Sequence, residues 1–103
     1  MTDTSFLDYV LEQLREMRAL ESRRMFGGHG LYLNGAFFAI VHRGTLYFRT
    51  DDETRAAFIR ASSRPFNPRG RVELHRYYAV PADVLEDSGT LCTWAKAAAK
   101  TRN

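Results

Sequence analysis

Apolar positions near the start of the chain recur at helical spacing. Phe6, Val10, Leu14 and Met17 lie three or four residues apart, and Leu7 and Leu11 widen the stripe. The pattern predicts an amphipathic helix, capped by Thr4 or Ser5 and running to about Leu20. So broad an apolar face should lie on a sheet. From residue 22 to residue 49 the period drops to two. Asn34-Gly35 separates LYL from AFFAIVH, and this dipeptide suits a type I′ hairpin because both central residues need positive φ. His42-Arg43-Gly44-Thr45 then leads into LYFR, residues 46–49. The expectation is a three-stranded antiparallel meander with short connections.

Thr50-Asp51-Asp52-Glu53 reads as a capping box, with Thr50 at the cap and acids on the positive end of the helix dipole. The helix it opens should turn Ala57, Phe58 and Ala61 inward and stop before Ser62-Ser63. RPFNPRGRVELHRYYAV reads as a second hairpin, with Pro68 and Gly70 at its turn and VELHRYYAV as its longer strand. Pro81 suits the first position of a short helix over residues 81–86. A last helix follows from about Gly89, with Leu91, Trp94, Ala95 and Ala98 on one face and Lys96, Lys100 and Arg102 towards its C-terminal end. The order α-β-β-β-α-β-β-α, closing on a helix pair, implies an α+β fold in two layers, helices on an antiparallel sheet of about five strands. Neither repeat, low-complexity tract nor linker divides residues 1–103, so one domain is expected.

Composition narrows the class. With 45% hydrophobic and 13% aromatic residues, the chain has the means to build a core and does not resemble a disordered segment. Its apolar runs fall well short of the ~18–20 residues of a membrane span, and residues 1–20 are too charged for a signal peptide, so a cytoplasmic location is expected. Cys92 is the single cysteine, which excludes an internal disulfide and argues against a thiolate zinc site. It is expected to be a small packed side chain of the last helix.

MFGGHGLYLNG, residues 25–35, is the most unusual stretch. A phosphate-binding glycine loop needs a helix start behind it, and these glycines run into strand and hairpin instead. They are therefore read as structural, a bulge or bend inside the first strand. His29 could act in a glycine-walled pocket, as part of a small-ligand site or an enzyme. General acid–base chemistry needs a second titratable group, however, and Asp51, Asp52 and Glu53 belong to a helix start while His42 and His75 lack metal-ligand spacing to His29. Catalytic, cofactor-binding and metal-binding residues are therefore not assigned. A second candidate is basic. The net charge is only +3, but thirteen of the fifteen cations are Arg, and Arg60, Arg64, Arg69, Arg71 and Arg76 cluster around a single acid, Glu73. With Phe66, Tyr77 and Tyr78 interleaved, this segment could meet phosphate or an acidic partner. Arg64, Arg69, Arg71 and Arg76 are the candidate partner-binding residues, with bare DNA expected to be bound only weakly or indirectly; direct DNA binding through the Arg60–Arg76 segment is the alternative.

SRRMFGGHGLYLNGAFFAIVHRGTLYFRTDDETRAAF and YYAVPADVLEDSGTLCTWAKAA together resemble the N-terminal domain of the TfoX/Sxy competence regulators, over about Phe6 to Ala99. The motif residues are Arg24, Met25, Phe26, Gly27, Gly28 and Gly30, then Leu46-Tyr47-Phe48-Arg49, then Tyr77-Tyr78 leading to Pro81 and Leu85. The resemblance implies a two-layer α/β unit without enzyme activity or cofactor. It further implies a role in bacterial gene regulation through a protein partner, such as the cyclic-AMP receptor protein that acts with full-length regulators on DNA-uptake genes. Those regulators carry a further C-terminal domain, so this chain is expected to be a stand-alone member. A homodimer is left open.

Overall fold

The N-terminal stripe forms α1 (Ser5–Gln13), shorter than its periodicity predicts. The computed structural model describes residues 5–25, 27–67 and 76–101. After Gln13 the backbone tightens into successive turns, with Arg15 N donating to Glu12 O and Met17 N to Leu14 O. Leu14 and Met17 stay buried, so the apolar spacing continues where the helix does not. Ala19, at φ 64°, then redirects the chain into the sheet.

Five strands follow in sequence order, all antiparallel: β1 (Leu20–Met25), β2 (Gly28–Leu33), β3 (Ala36–His42), β4 (Thr45–Arg49) and β5 (Tyr77–Ala79). The meander before the second helix thus has four strands, one more than the alternation predicts. The extra one, LESRRM, is an edge strand whose four middle residues are exposed, so it carries no apolar alternation. Gly27, at φ 76°, stands in the connection between β1 and β2 and serves a turn rather than a bend within one strand. The register irregularity of the sheet lies instead at Leu31/Tyr32, opposite β3. The two turns expected downstream are formed with positive φ at both central residues, Asn34 (52°) with Gly35 (83°) and Arg43 (50°) with Gly44 (75°).

The helix α2 (Asp52–Arg60) starts one residue later than its cap reading implies. Asp51 is the N-cap, its carboxylate accepting from Thr54 N at 2.8 Å while Thr54 Oγ1 accepts from Asp51 N at 3.0 Å. Thr50 is instead fully buried. Its hydroxyl donates to Arg76 O at 2.6 Å and accepts from Arg55 Nε at 3.1 Å. Phe58 points inward as expected, whereas Ala61, the C-cap, is exposed. The second hairpin is described at its base, where Phe66 N donates to Tyr77 O and Pro65 bridges Tyr78. Its proposed turn at Pro68 and Gly70, and the strand as far as His75, lie outside the described residues. Pro81 then caps α3 (Ala82–Leu85), and α4 (Ser88–Ala99) closes the fold. The observed order is α-β-β-β-β-α-β-α-α.

All four helices cover one face of the sheet. Leu7 and Val10 from α1, Leu14 from the turns that follow it, Phe58 from α2, Val84 from α3 and Leu91, Cys92, Ala95 and Ala98 from α4 pack on Leu31, Phe38, Val41, Leu46 and Phe48. A smaller cluster occupies the opposite face, with Ile40, Phe66 and Tyr77 buried among Phe37 and Tyr47. Cys92 is buried and unpaired with any other cysteine, as expected.

Candidate functional site

Helices α2 and α4 lie on the same face of the sheet but at different places, α2 against β5 and α4 against β3 and β4. The seam between them is set by two aromatic rings. Phe58 and Trp94 meet edge to face, centroids 5.0 Å apart at 68°, and Phe58 also leans on Tyr78 at 6.1 Å. Beyond these rings the facing positions are Ala57, Ala97 and Ala98, too small to fill the space. An apolar hollow of about 260 Å³ results, lined by these residues with Arg49, Thr54 and Thr93. On the other side of Ala57 and Trp94 a second hollow of about 280 Å³ opens, lined by Arg60, Ala61, Pro81, Asp83 and Val84. The two form one shallow groove with the half-buried Trp94 as its central feature.

Arg49 closes one end of this groove and is fully engaged. Its Nε donates to Thr101 Oγ1 at 2.7 Å and its Nη2 to Ala99 O at 3.3 Å, which ties the last turn of α4 to the sheet. The guanidinium also lies beside the Tyr77 phenol. Burial pushes that phenol up to about 12, although the charge of the guanidinium acts to lower its pKa. Arg60, at the other end, is exposed and makes no ion pair among the described residues. The groove therefore offers apolar contact, one aromatic edge and an exposed cation, the elements of a binding surface for an apolar segment with an acidic neighbour.

His29 lies elsewhere. It is half-buried on β2, lining a hollow of about 320 Å³ with Phe6, Leu7, Gly27, Gly28, Val41, Arg43 and Gly44. Arg43 is the single other titratable residue of that lining, so the converging groups that acid–base catalysis requires are not brought together there. His42 faces away, its ring 5.2 Å from Phe66, and its pKa is lowered, first by burial and then by Arg43. Among the described residues no three His, Cys, Asp or Glu side chains are placed to hold a metal ion.

Of the basic candidates, Arg60, Arg64 and Arg76 are exposed, while Arg69 and Arg71 lie outside the described residues. Of the motif residues, Arg24 and Met25 sit on β1, Gly27 in the turn, and Gly28 and Gly30 on β2; Phe26 lies outside the described residues. Both β2 glycines are sites of close approach. A Cβ on Gly28 would stand 2.2 Å from Val41 O, and one on Gly30 would meet the Met25 thioether and the Phe37 ring. The motif is thus packing chemistry around one hairpin, some distance along the sheet from the groove.

The family model of the TfoX N-terminal domain matches residues 12–101. The chain belongs to the TfoX N-terminal domain family. Comparison with curated proteins gives no match. Within the matched region, Leu46–Arg49 of β4 supplies both core side chains and the guanidinium that anchors α4. The TfoX N-terminal domain is not a known enzyme family. The α2–α4 groove was missed from sequence because its walls are alanines, which read as ordinary helix formers, and because Trp94 reads as core. A spacing of small residues beside one Trp on α4, opposite Ala57 on α2, is the signal that could have marked it. No described helix is long and apolar enough to cross a membrane.

Proposed function

We propose that this TfoX N-terminal domain is a non-catalytic regulatory module that binds a protein partner in the groove between α2 and α4. The observation that carries the reading is the groove itself, apolar walls of Ala57, Ala97 and Ala98 around Phe58 and Trp94, left open on the surface. A fitting partner presents an apolar segment with a carboxylate near it, the apolar side chains over Trp94 and the carboxylate on Arg60. Family membership supports a transcription factor as that partner, and the cyclic-AMP receptor protein is the first to test.

Trp94 is the sole tryptophan, so 5-fluorotryptophan labelling puts one ¹⁹F resonance in the groove. Titration with purified cyclic-AMP receptor protein should move that resonance. Ala97→Arg, at an exposed position, should plug the hollow, leave the fold intact and abolish the shift. Binding that leaves Trp94 unmoved and is indifferent to Ala97→Arg would refute the groove as the partner site. A second reading, a small-ligand protein, rests on the hollow at His29. It would displace the first if small metabolites raised the melting temperature and His29→Ala removed the effect.

A further inference from the structure

We propose that this chain forms a weak two-fold homodimer by pairing β1 with β1 of a second copy, centred on Ser22, which joins two five-stranded sheets into one.

The strand is available. β1 is the first strand of the sheet order, six residues long, with Glu21, Ser22, Arg23 and Arg24 all exposed. Backbone direction alternates along an antiparallel strand. Asn34 N donates to Ala19 O at 3.1 Å, in the same register as Leu20↔Leu33, so the odd-numbered residues turn their backbone groups toward β2. Leu20, Ser22 and Arg24 therefore direct their N–H and C=O groups to the open edge, a template for another strand.

Side-chain faces narrow the choice further. Glu21 pairs with Tyr32 and Arg23 with Gly30, and the two charges lie 3.7 Å apart with Arg23 5.0 Å over the Tyr32 ring. Both thus project from the face opposite the helices. A two-fold axis normal to the sheet preserves that face, so a residue must oppose one of the same parity in the other copy. Four registers satisfy this over the exposed middle of the strand. Centred on Glu21, the axis sets Glu21 against Glu21 of the partner subunit; centred on Arg23 it sets Arg23 against Arg23 of the partner subunit, and centred on Arg24 it sets Arg24 against Arg24 of the partner subunit. These three oppose like charges. Centred on Ser22, it sets Glu21 against the partner's Arg23 twice, with the small Ser22 on the axis and Leu20 under the stem of the partner's Arg24. The outward backbone groups of Leu20, Ser22 and Arg24 pair in that same register. Hydrogen bonding, facing and charge thus select one arrangement. The four central charges then alternate in sign, which blunts the edge against foreign strands while leaving it complementary to itself.

The test is the solution mass by light scattering and sedimentation at low salt, at about 200 µM protein because so short an interface is a transient one. A dimer that weakens as salt rises is expected. Ser22→Pro should give a folded monomer, since the N–H it removes faces the open edge and not β2. Glu21→Arg and Arg23→Glu should each weaken dimerisation about tenfold or more, two attractive pairs having become two repulsive ones. The two variants mixed, or combined in one chain, should recover it. Circular dichroism confirms that each variant is folded. A monomer under all conditions, a dimer that survives Ser22→Pro, or a mixture no better than its separate variants would overturn the proposal.

Discussion

Gly28→Ala tests whether the glycine motif is packing chemistry. Gly28 does not have positive φ, so its backbone is open to any residue and the effect of a methyl group is steric alone. The added Cβ would lie 2.2 Å from Val41 O and 3.2 Å from the His42 Cα. An ordinary carbon–oxygen contact is about 3.3 Å or longer, so β2 and β3 must separate locally by roughly 1 Å. Both obstructing atoms are backbone, and no side chain can swing aside. Overpacking of this kind typically costs about 1–3 kcal/mol, and the entropy that Ala removes from the unfolded chain returns at most about 1. With ladder hydrogen bonds beside His29 and Val41 strained as well, each worth about 1 kcal/mol, a net loss of about 2–3 kcal/mol is expected. For a domain of this size that is a fall of roughly 10–20 °C in Tm. Gly27→Ala meets no atom within 4 Å, but it forces Ala to φ near 76°, which should cost about 1 kcal/mol. His29→Ala should cost less than either glycine change. Urea unfolding of the three variants ranks them directly. A Gly28→Ala variant within about 0.5 kcal/mol of the parent, or milder than Gly27→Ala, would refute the reasoning.

Thr50→Val keeps the shape of a fully buried side chain but deletes its bonds to Arg76 O and Arg55, and should destabilise by about 1–2 kcal/mol in chemical denaturation. The His42 pKa is lowered by folding, so below 6.5 the unfolded chain binds the extra proton first. Stability should therefore be complete above that pH and decline as the solution becomes more acidic, and His42→Gln should remove this part of the pH dependence. Tyr77 behaves in the opposite sense. Its phenol is held neutral up to about 12, so its contribution persists below pH 10 and is lost as the pH rises toward 12. A late-ionising component should then appear in a phenolate absorbance titration, and Tyr77→Phe should remove it.

The turns and buried faces were the most readable parts of the chain. Asn34-Gly35 and Arg43-Gly44 announce their turns because few residues tolerate positive φ, and Leu91, Ala95 and Ala98 announce the buried face of α4 by spacing. β1 was hidden because an edge strand with four exposed residues has no apolar period to detect. That omission also placed Gly27 inside a strand rather than in the turn between β1 and β2. The end of α1 was misjudged for the opposite reason, since Leu14 and Met17 keep helical spacing while the chain has left the helix. The cap of α2 slipped by one residue because Thr50 and Asp51 both suit the position, and only the buried partner Arg76 O decides between them. The groove needed tertiary information, since it lies between helices separated in sequence by β5 and α3.

The end of α1 bears on the order in which the molecule assembles. Gln13 donates through Nε2 to Leu85 O at 2.9 Å, and its own carbonyl accepts from Ser88 Oγ at 2.6 Å and from Cys92 Sγ at 3.6 Å. These partners are 72 to 79 residues away along the chain, whereas each pair in the β1–β4 meander is joined by a short turn. Closing the long loop is entropically slower than zipping successive hairpins. The meander is therefore the natural nucleus, and α1 waits for the α3–α4 unit before it has a carbonyl to hold and an apolar surface to rest on. In a refolding experiment, amides of β2 and β3 should gain protection from exchange first, and those of α1 and α4 should follow together as one late step.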